Sequence, residues 1–71
     1  MIDLKNKHEV LAFGPTGWGY YVLCRTTREY VTWEVDFEGY CYNGHYFTSY
    51  YEARSDWLDR LVNHSIKEVV R

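Results

Sequence analysis

Seventy-one residues with a formal net charge of −2 make one small domain. A chain of this size buries only about 60% of the surface its unfolded form exposes, so it needs a staple beyond an ordinary core. The mild charge excludes a duplex-DNA binder, which would need clustered Lys and Arg to displace counterions, and no apolar run approaches the roughly 20 residues that cross a bilayer. Aromatic residues make up 20% of the chain, eight of them tyrosine and three tryptophan, and large rings bury much area at little rotamer cost. Aromatic packing is therefore the expected staple.

Met1 to Lys5 lacks the apolar core of a signal peptide, and the two cysteines, Cys24 and Cys41, form no Cys-x-x-Cys motif. A reducing cytoplasm is the expected compartment. A Cys24–Cys41 bridge between neighbouring strands stays open as an alternative.

In chain order, the apolar runs His8 to Phe13 and Tyr20 to Arg25 flank Gly14-Pro15-Thr16-Gly17-Trp18-Gly19, residues that set or permit turn dihedrals. This predicts a hairpin. Val31, Trp33, Val35 and Phe37 alternate with Thr32, Glu34, Asp36 and Glu38, which predicts a strand with the first set on a core and the second in water. Tyr40 to Phe47 then allows two arrangements. Either Asn43-Gly44 is a tight turn between two short strands, or Glu38-Gly39 turns the chain and Tyr40 to Phe47 is one strand bulged at Asn43-Gly44. The second is favoured because it gives the preceding strand a partner of matching length.

Ser49-Tyr50-Tyr51-Glu52 reads as a capping box, Ser49 accepting from first-turn amides and Glu52 reaching back to the cap. It predicts a helix within 49–63, from Tyr50 to about Val62, with Asn63-His64 as its stop. Ala53, Trp57, Leu58 and Leu61 give it one apolar stripe to lay on the sheet. The tail 64–71 reads equally as an edge strand, a continuing helix or a frayed end. The expected fold class is α+β: one domain over 1–71, a three- to four-stranded antiparallel sheet within 8–47, packed by one C-terminal amphipathic helix.

Little here announces chemistry. The Gly14, Gly17, Gly19 loop leads into a strand, whereas phosphate-binding glycine loops lead into a helix. His8, His45 and His64 are far apart with no partners at metal-ligand spacing, and neither cysteine begins a helix. No enzyme activity, cofactor or metal is expected.

Carboxylates and rings carry more. Glu52, Asp56 and Asp59 fall at i, i+4 and i+7 and form a helix stripe, while Glu34 and Asp36 sit on the best strand with Glu38 at its end. The plain alternative is a solvated helix face with ion pairs from Arg54 and Arg60. Adjacent tyrosines in strands point to opposite faces, so some rings must be at the surface, where Tyr and Trp mark binding patches. Trp18, Tyr21 and Tyr30 are the candidate rings. With Glu34, Asp36, Glu52, Asp56 and Asp59 they form the candidate partner-binding set.

Trp33-Glu34, Gly44-His45-Tyr46-Phe47, Glu52-Ala53 and Asp56-Trp57 with Arg60 resemble small uncharacterised accessory proteins of phages and bacterial mobile elements. There a tryptophan strand precedes a Gly-x-Tyr-Phe strand and an acidic-Ala helix start. The resemblance covers roughly the second half of the chain and assigns no binding residue. It implies a protein carried to bind and block a host protein, including components of anti-phage defence. The expected function is a non-enzymatic inhibitor that masks a host protein with a basic surface, working as a homo-dimer or higher oligomer. Two alternatives stand beside it. One is a small-molecule or nucleotide-binding module at an oligomer seam. The other is single-stranded nucleic-acid binding by stacked rings, against which the low basic content counts.

Overall fold

The computed structural model describes the backbone of residues 2–70 and the side chains of residues 2–63. Four strands, β1 (Glu9–Pro15), β2 (Gly19–Arg25), β3 (Tyr30–Asp36) and β4 (Cys41–Phe47), precede one helix, α1 (Tyr50–Val70). The strands form an antiparallel meander in the order β1-β2-β3-β4, and α1 packs on it. This is the expected α+β arrangement with four strands.

Each connection follows its local chemistry. Thr16 N donates to Gly19 O at 2.8 Å in the first loop, and Thr26 Oγ1 accepts from Arg28 N and Glu29 N in the second. Between β3 and β4, Gly39 takes a positive φ of 96° that an L side chain rarely adopts, and Asp36 Oδ1 accepts from Glu38 N and Tyr40 N, both at 3.0 Å. The chain thus turns at Glu38-Gly39. Thr32 faces His45 and Glu34 faces Tyr42, so Trp33 lies opposite both Asn43 and Gly44. That is the expected bulge, with Asn43 at a positive φ of 51°.

The two sheet faces are covered differently from the expectation. Val22, Cys24, Val31 and Val35 form one face, and their cover is the N-terminal segment, with Leu4 buried and Ile2 packed beside it. Lys5 N donates to Gly39 O at 2.9 Å and fixes that segment in place. The helix covers the opposite face, that of Leu23, Thr32 and His45. Thr32, expected in water, is 0% exposed, and Glu34 is half-buried. Alternation identified the strand correctly but not which face the helix takes, because both faces are used.

On α1, Ala53 is buried and Trp57 and Leu61 are half-buried, while Leu58 is 37% exposed and lies off the stripe. Trp57 Nε1 donates to Tyr21 O at 2.8 Å, which pins the helix to β2. Glu52 N reaches Ser49 Oγ at 3.5 Å, a long cap, and Ala53 N bonds Ser49 O at 3.1 Å. Asn63-His64 does not stop the helix, which continues to Val70. Neither residue is a Gly or Pro, and each costs less than about 0.7 kcal/mol in a helix interior. Arg71 lies outside the described residues.

Cys24 and Cys41 are both free thiols. They sit on β2 and β4, with β3 between them, so the neighbouring-strand arrangement considered for a bridge does not occur. Burial, and secondarily the nearby Cys41, pushes the Cys24 thiol up to about 12. No helix among the described residues is long and apolar enough to cross a membrane.

Candidate functional site

A polar cleft of about 500 Å³ opens between α1 and the sheet beside β4, lined by Tyr21, Glu34, Asn43, His45, Arg60 and Asn63 with the Gly44 backbone. Register builds it. Thr32 and His45 are directly paired, Glu34 is the next same-face residue of β3, and Tyr21 pairs Glu34 from β2. The bulge turns Asn43 toward Glu34, whose Oε2 accepts from Asn43 Nδ2 at 2.8 Å.

Asp56 organises the wall under the helix. Its carboxylate accepts from Thr32 Oγ1 at 2.6 Å and from His45 Nδ1 at 3.0 Å, and it lies 3.5 Å from Arg60 Nε. An Nδ1 hydrogen donated to this carboxylate fixes the ring's orientation and leaves Nε2 outside that bond. Arg60 is only 9% exposed along its side chain. It donates through Nη2 to Asn43 O and lies over the Tyr21 ring, 5.7 Å from the centroid. Its Nη1 is buried with no hydrogen-bond partner among the described residues. Desolvation, then the Glu34 charge, raises the Tyr21 phenol above its ordinary value, and Arg60 offsets only part of this. The phenol therefore stays protonated.

The structure gathers half of the expected partner-binding set here. Trp18 stands edge-on to Tyr21 at 5.2 Å between ring centroids, Tyr21 and Glu34 line the cleft, and Asp56 lies behind it. The other half is elsewhere. Tyr30 packs against Tyr50 at the helix start, 5.6 Å between centroids, and Asp36 closes the β3–β4 turn, where it also accepts from Tyr42 OH at 3.2 Å. Glu52 and Asp59 are exposed on α1, but Asp56 turns inward between them, so the three carboxylates do not form one outward stripe.

His45, Asn43, Arg60 and Asn63 were not in the expected set. His45 lies eleven positions from Asp56 in a different element, and only the β3–β4 register brings them together. The Asn43-Gly44 bulge was the available signal for Asn43, since bulges re-aim side chains.

On the opposite face of the sheet from the cleft, beside Ile2 and Asp3 of the N-terminal segment, Phe13, Tyr20 and Phe37 form an edge-to-face series with centroids 5.8 and 5.9 Å apart. Phe13 is 51% exposed and Phe37 68%. No group of three or more His, Cys, Asp or Glu side chains able to hold a metal ion occurs among the described residues. No protein-family model, curated protein or solved structure matches the chain.

Proposed function

We propose that the chain is a non-enzymatic binding protein whose acidic and aromatic surface masks a host protein bearing a basic one, as an accessory protein of a phage or mobile element would. One observation carries the reading: of the residues expected to bind a partner, Tyr21 and Glu34 line the cleft beside β4, with Trp18 against Tyr21 and Asp56 in the wall behind. An aromatic rim next to unneutralised carboxylate is the composition of a protein-binding patch that selects cations. Glu52 and Asp59, exposed on α1, add to the attraction at longer range.

Affinity purification from host lysate tests this. The native chain should recover one stoichiometric partner, and Glu34→Lys or Trp18→Ala should release it. Recovery of no partner, or of the same partner by both variants, overturns the reading.

Within the same proposal, the expected self-association is assigned to the Phe13–Tyr20–Phe37 series. The sheet edges suit it less, because β1 shifts register between Val10 and Ala12 and β4 is bulged at Asn43-Gly44, and bulged edges pair poorly with other strands. Phe13→Ser with Phe37→Ser should lower the sedimentation mass to that of the monomer; a native chain that is already monomeric overturns this part.

A further inference from the structure

We propose that the cleft beside β4 is a socket for one cationic side chain, the ammonium of a lysine or the guanidinium of an arginine on the partner. This rests on the masking function proposed above and names the group recognised. The carboxylate in the cleft lining is that of Glu34. Glu34 spends Oε2 on Asn43 and keeps Oε1, and His45, oriented through Nδ1 by Asp56, keeps Nε2 outside that bond. Asn63, exposed on α1, places an amide at the rim.

Charge selects the same occupant. The cleft and its wall hold two carboxylates, Glu34 and Asp56, against one guanidinium, Arg60. Arg60 does not turn this into an anion site. Its Nε faces Asp56, its Nη2 is given to the Asn43 carbonyl, its plane lies against Tyr21, and its Nη1 is closed off from solvent. The positive charge is thus committed to the wall, and Glu34 is the carboxylate left facing the cavity. A space of about 500 Å³ admits the end of a long side chain and has no room for a folded element.

The test uses the intact chain and N-acetyl-arginine amide, with N-acetyl-citrulline amide as its neutral isostere, followed by amide chemical shifts at low ionic strength. Arginine should give saturable shifts confined to Tyr21, Glu34, Asn43, His45 and Arg60, and citrulline none. Glu34→Gln keeps an oxygen for the Asn43 bond, so it should fold as the native chain does. It should bind arginine about fivefold more weakly, the upper end of what one exposed ion pair supplies. No saturable shift, equal binding by the citrulline compound, or unchanged affinity in Glu34→Gln overturns the socket. A purified partner whose binding is indifferent to Glu34→Gln overturns the socket while leaving the masking function standing.

Discussion

Thr32 Oγ1 donates to Asp56 Oδ2 at 2.6 Å, joining the middle of β3 to the second turn of α1. The hydroxyl is fully buried and the carboxylate partly so, and a hydrogen bond to a charged group contributes about 1.5–3 kcal/mol when both partners are dry. Thr32→Val keeps the side-chain shape and removes one donor from Asp56. It should cost about 1–2 kcal/mol in urea denaturation, the lower figure reflecting the carboxylate's solvent contact. Asp56→Ala should cost more, since it also strips His45 and Arg60 of their shared acceptor. The double variant should cost less than the sum of the two; additivity within about 0.5 kcal/mol would mean that the bond contributes nothing.

The same bond shows where sequence reasoning succeeds and where it stops. The alternation from Val31 to Phe37 identifies β3 because period two is a local property, and the favoured bulge at Asn43-Gly44 follows from strand lengths that can be counted. The face under the helix is not local. Ile2 and Leu4 alternate with Asp3 in a short strand-like pattern, and that pair was the signal that the valine face already has a cover. Once that face is occupied, the helix must lie on the Thr32 side and bring polar groups with it: Asp56 for Thr32 and His45, Arg60 for the Asn43 carbonyl, and Trp57 Nε1 for the Tyr21 carbonyl. The cleft follows from this second face. Its residues come from β2, β3, β4 and α1 and share no sequence motif.

Two glycines should respond differently to the same substitution. A Cβ on Gly44 would stand 2.6 Å from the Trp33 ring, whose position is fixed by Tyr46 edge-on at 5.7 Å. A Cβ on Gly14 would meet the terminal methyls of Leu61 at 2.7 Å, and these can change rotamer. Gly44→Ala should therefore cost about 1–3 kcal/mol, the range for overpacking against a rigid neighbour, and Gly14→Ala clearly less. Thermal denaturation of the two variants decides it, and a larger loss for Gly14→Ala would show that Leu61 is the less adaptable contact.

Thiol chemistry should separate the two cysteines. Cys24 is fully buried with its thiol pushed up to about 12, so it carries almost no thiolate at neutral pH. Cys41 is half-buried, and desolvation also raises it, though backbone hydrogen bonding at Asn6 works the other way. Iodoacetamide followed by peptide mass spectrometry should label Cys41 slowly and leave Cys24 unmodified in the native chain. Both should react promptly in denaturant. Equal native rates would mean that the valine face opens freely, with the Ile2–Leu4 cover detached.

The turn at Glu38-Gly39 makes stability depend on pH through Asp36. Desolvation pushes this carboxyl up, but the Tyr40 and Glu38 amides, the Tyr42 phenol and the Gly39 amide together outweigh it and hold it below the ordinary carboxylate value. A carboxyl lowered in the folded state stabilises the fold above its unfolded pKa, about 3.9 for aspartate, and that contribution is lost as pH falls through the folded value. Asp36→Asn removes the charge and keeps one acceptor oxygen. The variant should be less stable than the native chain near neutrality, and the gap should close as the pH drops below about 4. Urea denaturation of both chains across that range measures the gap directly. A gap that stays constant with pH would assign the loss to turn geometry, and one that widens on acidification would reverse the sign of the argument.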